Sequence, residues 1–185
     1  FIEYNPCKRV RRIKFDNMQN AVLSQKDETK FLESFESEWA RDICIMVLHT
    51  GLRKNDVLGL KKTEINLDTN CIILIQGKTQ RTVTIPMNET VRKLVESRWN
   101  NGSDLIFPSP KTGKEGVDCK TAINGACKRA RISRVTLRDL RRTFGTRLDE
   151  LNYSSSVKAK LLGHGDLRSV HRYERGTKIL REAGF

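Results

Sequence analysis

Apolar positions recur every three or four residues along most of the chain, and every second residue over one short stretch. Phe31, Leu32 and Phe35 give an apolar face to a helix expected over Ser24 to Ser34, opened by Lys26, Asp27 and Glu28. Trp39, Ile43, Met46 and Val47 do the same for Glu38 to His49, which Gly51 ends as a left-handed cap would. A short helix starts at Lys54 or Asn55 and ends near Leu60. The period then drops to two: Glu64 to Asn66, Cys71 to Gln76 and Arg81 to Ile85 read as strands. Gly77-Lys78-Thr79-Gln80 joins the last two as a tight connection in which glycine can take positive φ. Helices resume over Asn88 to Trp99, with Val91, Leu94 and Val95 facing inward, then over Val117 to Ala130 after a loop rich in Gly, Pro and Ser. Thr136 to Leu151 carries the stripe Leu137, Leu140, Phe144 and Leu148. Short helices over Val157 to Leu162 and Asp166 to Arg175 close the pattern. The expected fold class is α+β, mainly α, with a small three-stranded antiparallel sheet set into a helical protein.

Length and composition narrow this further. A chain of 185 residues holds one sizeable core. Its longest apolar run, Cys71 to Ile75, is too short for a bilayer, and Phe1-Ile2-Glu3-Tyr4 does not open a signal peptide. Five widely spaced cysteines without a C-x-x-C pair, and three histidines, do not point to a zinc site or a disulfide scaffold. Cys44 and Cys71 are expected as small buried hydrophobes in a reducing cytoplasm. The net charge of +13, from 35 Lys and Arg against 22 Asp and Glu, attracts polyanions. Charge alone fits DNA, ribosomal RNA or an acidic membrane surface equally.

The candidate chemistry sits in separated segments: Thr50-Gly51-Leu52-Arg53 with Asp56, Gly77-Lys78, Arg138-Asp139-Leu140-Arg141, Leu162-Gly163-His164, and Tyr173 nine residues later. Such a set suits a phosphodiester. Guanidinium groups bind the non-bridging oxygens bidentately and oppose the charge that grows on them, and a tyrosine oxygen can attack phosphorus. Taken singly each residue has a plainer reading. Arg53 could be a surface arginine, Asp56 a first-turn acid, Lys78 a solvated turn lysine, and Tyr173 a packing residue, although polar Arg172, Glu174 and Arg175 beside it argue against burial.

Five pieces in this order resemble the tyrosine recombinase (phage integrase) family, over about Asp27 to Tyr173. The resemblance implies catalytic roles for Arg53, Lys78, Arg138, Arg141, His164 and Tyr173. Tyr173 would be the nucleophile, Arg53 and Arg141 the phosphate clamp, Lys78 the general acid to the departing 5′ oxygen, and His164 a donor to the phosphate or acceptor of the tyrosine proton. Arg81 competes with Lys78, but a guanidinium is a poor proton donor. Arg138 departs from the pattern, which has His there. It can donate to a phosphate oxygen and cannot act as a base. Arg142 reads as a surface or DNA-backbone residue; His49, His171, Tyr4 and Tyr153 match no motif.

The activity implied is cutting and rejoining of double-stranded DNA through a 3′-phosphotyrosyl link, without metal, ATP or other cofactor. The expected assembly is a homotetramer on two DNA sites in the full-length protein, in the cytoplasm of a bacterial or archaeal host. Residues 1–20 are expected to be the end of a linker from a preceding DNA-clasping domain, and 21–185 the catalytic domain. Two alternatives stand beside this: a catalytically impaired DNA-binding relative, motivated by Arg138, and a type IB topoisomerase-like activity.

Overall fold

The computed structural model describes residues 22–76, 81–116, 118–154, 157 and 161–162. Six α-helices and three strands are found among them. Helix α1 (Gln25–Glu33) is capped by Ser24, whose hydroxyl accepts from the Asp27 N–H, and α2 (Glu38–Thr50) is capped by Ser37. After α3 (Lys54–Leu58) a 3-10 turn over Lys62–Glu64 leads into β1 (Ile65–Asn66), β2 (Cys71–Gln76) and β3 (Arg81–Pro86). Helices α4 (Glu89–Ser97), α5 (Lys120–Ala130) and α6 (Leu137–Glu150) complete the set. The differences from expectation are local. Glu64 belongs to the turn because its carboxylate reaches back to the Lys61 N–H (2.8 Å), and α5 starts at Lys120, whose N–H is taken by the Asp118 side chain (3.0 Å). The helix expected over Asp166 to Arg175 lies outside the described residues, as does most of that over Val157 to Leu162.

The sheet runs β1-β2-β3, antiparallel throughout, with Ile72 opposite Ile85 and Leu74 opposite Val83. These four are buried, while Ile73 and Ile75 on the other face are exposed, so the period of two sorts the sheet into an inner and an outer side. The inner side joins one core with α2 at its centre: Ile43, Met46, Val47 and Leu48 have no solvent exposure. Cys44 and Cys71 are buried as expected; Cys119 and Cys127 are buried as well. Burial raises the Cys44 thiol pKa well above the usual value, aided by Cys119 and Cys127 nearby. No helix among the described residues is long and apolar enough to cross a membrane.

Helix α6 divides its stripe between two clusters. Leu137 and Leu140 enter the main core, whereas Phe144 and Leu148 pack with Leu161, under Tyr153, Val157 and Leu162. Its start is set by a capping box, Thr136 Oγ1 accepting from the Asp139 N–H (3.3 Å) and Asp139 Oδ2 from the Thr136 N–H (2.9 Å). Two contacts lock it to α1 and the residues before it: Thr143 Oγ1 accepts from the Leu23 N–H at 3.0 Å, and Arg147 pairs with Glu28.

Helix α2 ends where α6 crosses it. Thr50 Oγ1 donates to the Met46 carbonyl (2.6 Å) and accepts from the Leu52 N–H (3.2 Å), so the chain turns at Gly51, with φ +64°. A Cβ there would lie 2.5 Å from Phe144 Cδ1 and 2.9 Å from Leu162 Cδ2. Strain of the left-handed backbone and overpacking both oppose a side chain. Gly51→Ala should therefore lower stability by about 3 kcal/mol in urea unfolding; a loss under about 1 kcal/mol would mean that the crossing relaxes.

Two residues earlier, His49 lies partly buried against the start of α4. The Asn88 amide oxygen caps α4 by accepting from the Val91 N–H (2.9 Å), which turns its Nδ2 toward His49 Nδ1 at 3.0 Å. That contact suits a neutral imidazole accepting at Nδ1, and burial, with Arg147 as a second cause, lowers the pKa to about 4. The unfolded chain then takes up a proton near pH 6.5 that the folded chain rejects until about 4. The contribution is complete above pH 6.5 and is lost as pH falls through that window, by up to about 3 kcal/mol. Melts at pH 7 and pH 5 should show a smaller difference for His49→Gln than for the parent; equal differences would assign the acid sensitivity elsewhere.

Candidate active site

Arg53 follows Gly51 and buried Leu52 directly and is the N-cap residue of α3, so its backbone is fixed by the turn before it and the helix after it. Asp56, one helical turn on, approaches Arg53 Nη1 with Oδ2 at 4.0 Å. That separation is too long for a hydrogen bond. Both atoms are buried and neither has a hydrogen-bond partner among the described residues. Burial raises the Asp56 carboxyl pKa, outweighing the opposite pull of Arg53 and Arg141.

Arg141 reaches the same place from α6. Its Nη1 donates to the Gly51 carbonyl, and its Nη2 donates to the Leu162 carbonyl at 2.8 Å. The guanidinium thus ties the end of α2 to the segment that precedes Gly163-His164 in sequence. Burial lowers its pKa to about 10, with the charge of Arg53 as the second cause and Asp56 opposing. Two guanidinium groups therefore share one carboxylate in a partly desolvated corner, leaving a local charge of about +1 from two cations and one anion.

Arg138 is placed differently. It is exposed and makes no hydrogen bond or ion pair among the described residues. With Arg141 and Arg142 it lines a shallow depression of about 340 Å³, together with Gly145, Thr146, Asp149 and Leu162. Asp139, beside it in the motif, is occupied by the capping box and by Arg142 Nη1 at 3.4 Å. The structure brings Arg53 and Arg141 together and leaves Arg138 on the rim. Lys78, His164 and Tyr173 lie outside the described residues. Among the described residues no group of three or more His, Cys, Asp or Glu could hold a metal ion.

Two parts of this arrangement carried no signal by residue type. The carbonyls of Gly51 and Leu162 orient Arg141, yet the sequence presents Gly51 only as a cap and Leu162 only as an apolar residue. Leu162 stands beside Gly163-His164 and Gly51 beside Arg53, so the motifs mark the location without marking the bond.

The chain as a whole is similar to known proteins. The chain is 27% identical over 187 residues to tyrosine recombinase XerA of Pyrococcus furiosus, covering 96% of this chain and 65% of that protein. It spans about three fifths of the length of the curated relatives it matches. The fold is that of the lambda integrase catalytic core, with a TM-score of 0.65 at 22% identity, covering 80% of this chain and 98% of that one. It is also that of the Tn1549 transposon integrase in complex with transposon right end DNA, with a TM-score of 0.74 at 20% identity, covering 98% and 73%. The phage integrase family model matches residues 21–178, and the chain belongs to that family.

Proposed function

We propose that the chain is the catalytic domain of a site-specific DNA recombinase that cuts and rejoins strands by transesterification. The observation that supports it most is the corner at the end of α2. There two guanidinium groups, brought together from positions 53 and 141, face one carboxylate, and a buried Arg53 nitrogen has no hydrogen-bond partner among the described residues. A bound phosphodiester would supply the missing acceptor and the missing negative charge together.

In this reading Tyr173 Oη attacks the scissile phosphorus as the P–O5′ bond breaks. Its own proton passes to His164, and the 5′ oxygen takes a proton from Lys78. The 3′-phosphotyrosyl bond keeps the energy of the bond it replaced, so a 5′ hydroxyl from another strand reverses the step, and no cofactor is consumed. Exchange between two duplexes cuts four strands, which calls for four tyrosines and hence a homotetramer on two DNA sites. Arg138 donates to the phosphate from the rim in place of the usual histidine, and the proton-accepting part falls to His164.

A nicked suicide duplex, which traps the covalent adduct, tests this directly. The parent should form the adduct and Tyr173→Phe should form none while binding DNA as before. A parent that binds DNA and forms no adduct would favour the impaired relative, and relaxation of supercoiled plasmid without two-site exchange would favour the topoisomerase-like activity. Lys78→Ala should slow cleavage, and a bridging 5′-phosphorothiolate should rescue it, because a thiolate leaves without a proton. Failure of that rescue moves the acid role away from Lys78.

Arg138 has its own expected outcome. Arg138→Ala should slow adduct formation on the order of 10²-fold, the loss typical of one preorganised donor, and Arg138→His should keep or raise the rate. An alanine variant that cleaves at the parental rate would take Arg138 out of the chemistry.

A further inference from the structure

Helix α6 has two opposite faces. Arg138, Arg141, Arg142 and Gly145 line the depression on one, and at about 100° per residue Thr143 and Arg147 fall on the other. That rear face is tied to the chain where it enters α1. Thr143 has no solvent exposure; its Oγ1 accepts from the Leu23 N–H at 3.0 Å and donates to the Asp139 carbonyl at 2.9 Å. One turn on, Arg147 Nη2 reaches the Leu23 carbonyl at 3.5 Å and pairs with Glu28 of α1. The Leu23 side chain is buried in the main core, so this residue is held by its amide, its carbonyl and its side chain together. A threonine that donates to the carbonyl four residues earlier is common in helices. Here the same hydroxyl also takes a buried amide 120 residues away.

The arginines on the front face are placed by different means. Arg141 has its own anchors in the carbonyls of Gly51 and Leu162. Arg138 has none among the described residues, so its guanidinium goes where the turn that carries it points. That turn is the first of α6, whose N–H groups have no partners within the helix. The capping box of Thr136 and Asp139 closes the end of the turn but does not fix the rotation of the helix about its axis. Thr143 does: its bonds run from the fixed amide of Leu23 to the carbonyl of Asp139, the residue after Arg138. Without them the helix is free to roll about the Arg141 tether, and the roll carries Arg138 with it.

We propose that Thr143 is a positioning residue for Arg138: by fastening the rear of α6 to Leu23 it aims the Arg138 guanidinium at the phosphate held by Arg53 and Arg141. This rests on the recombinase reading above. The test follows adduct formation on the suicide duplex by the full 185-residue chain, as a rate at saturating duplex and as the duplex concentration giving half that rate. Thr143→Val keeps the shape and removes the hydroxyl. It should slow the saturated rate on the order of tenfold, the scale of a small misplacement, and leave the half-saturating concentration unchanged. Thr143→Ser, which keeps the hydroxyl, should return to the parental rate. Added to Arg138→Ala, Thr143→Val should slow the reaction no further, because its effect passes through Arg138. If Thr143→Val does not fold, Glu28→Gln, which loosens the same attachment through Arg147, is read by the same comparison. A Thr143→Val rate equal to the parent's would overturn the proposal, as would equal slowing with and without Arg138, which marks a general structural effect. Either result leaves the recombinase reading standing, since the parent's own adduct reports on it; a parent that binds duplex and forms no adduct overturns both.

Discussion

A guanidinium buried against two backbone carbonyls sets the geometry of this protein. Arg141 is held below the chain at Gly51 and beside Leu162, far enough from water that its pKa falls to about 10. A charge so placed needs acceptors, and carbonyls at the end of a helix are acceptors without partners of their own. The Gly51 carbonyl is available because the left-handed turn ends α2 there. That turn is possible only without a Cβ, since Phe144 of α6 fills the space. Helix crossing, glycine turn and arginine orientation are thus one constraint seen from three sides. Moving any of them displaces Arg53, two residues beyond the turn.

Much of this was legible in the sequence. The 3.6 and 2.0 periods located six helices and three strands, because amphipathic elements on a single core leave their spacing in the residue order. The caps were legible too: Ser24 and Gly51 act through chemistry that residue type alone announces. The start of α5 was not, since it depends on Asp118 turning its side chain back to the Lys120 N–H, which apolar spacing does not encode. In the site, residue types pointed to Arg53 and Arg141 and could not tell their environments from that of Arg138. All three are motif arginines; one is locked under a turn, one lies 4.0 Å from Asp56 without a hydrogen bond, and one stands in solvent. His49 matched no motif, and its contact is with Asn88, thirty-nine residues away.

The positive charge of the chain has two parts that behave differently. Arg98 and Arg147 are spent on Asp42 and Glu28, where they hold helices together. Arg98 also lies over the Phe107 ring at 5.7 Å, so it is part of the packing as much as of the charge. Arg138 and Lys120 have no such partners among the described residues and stand together on one face, where they line a cleft between α5 and the start of α6. These two cations are open to an anion on that face, although the net charge of +13 does not by itself say where the field is strongest.

The bond from Arg141 to the Leu162 carbonyl has a thermodynamic corollary. The same guanidinium faces Arg53 and Asp56 on one side and fastens residue 162 on the other. Any ligand that changes how firmly Arg141 is held must change the docking of Leu162 by an equal free energy, and the docking must change the ligand's affinity in return. Occupancy of the corner and docking of Leu162 are reciprocal variables. One cannot be tightened without the other responding.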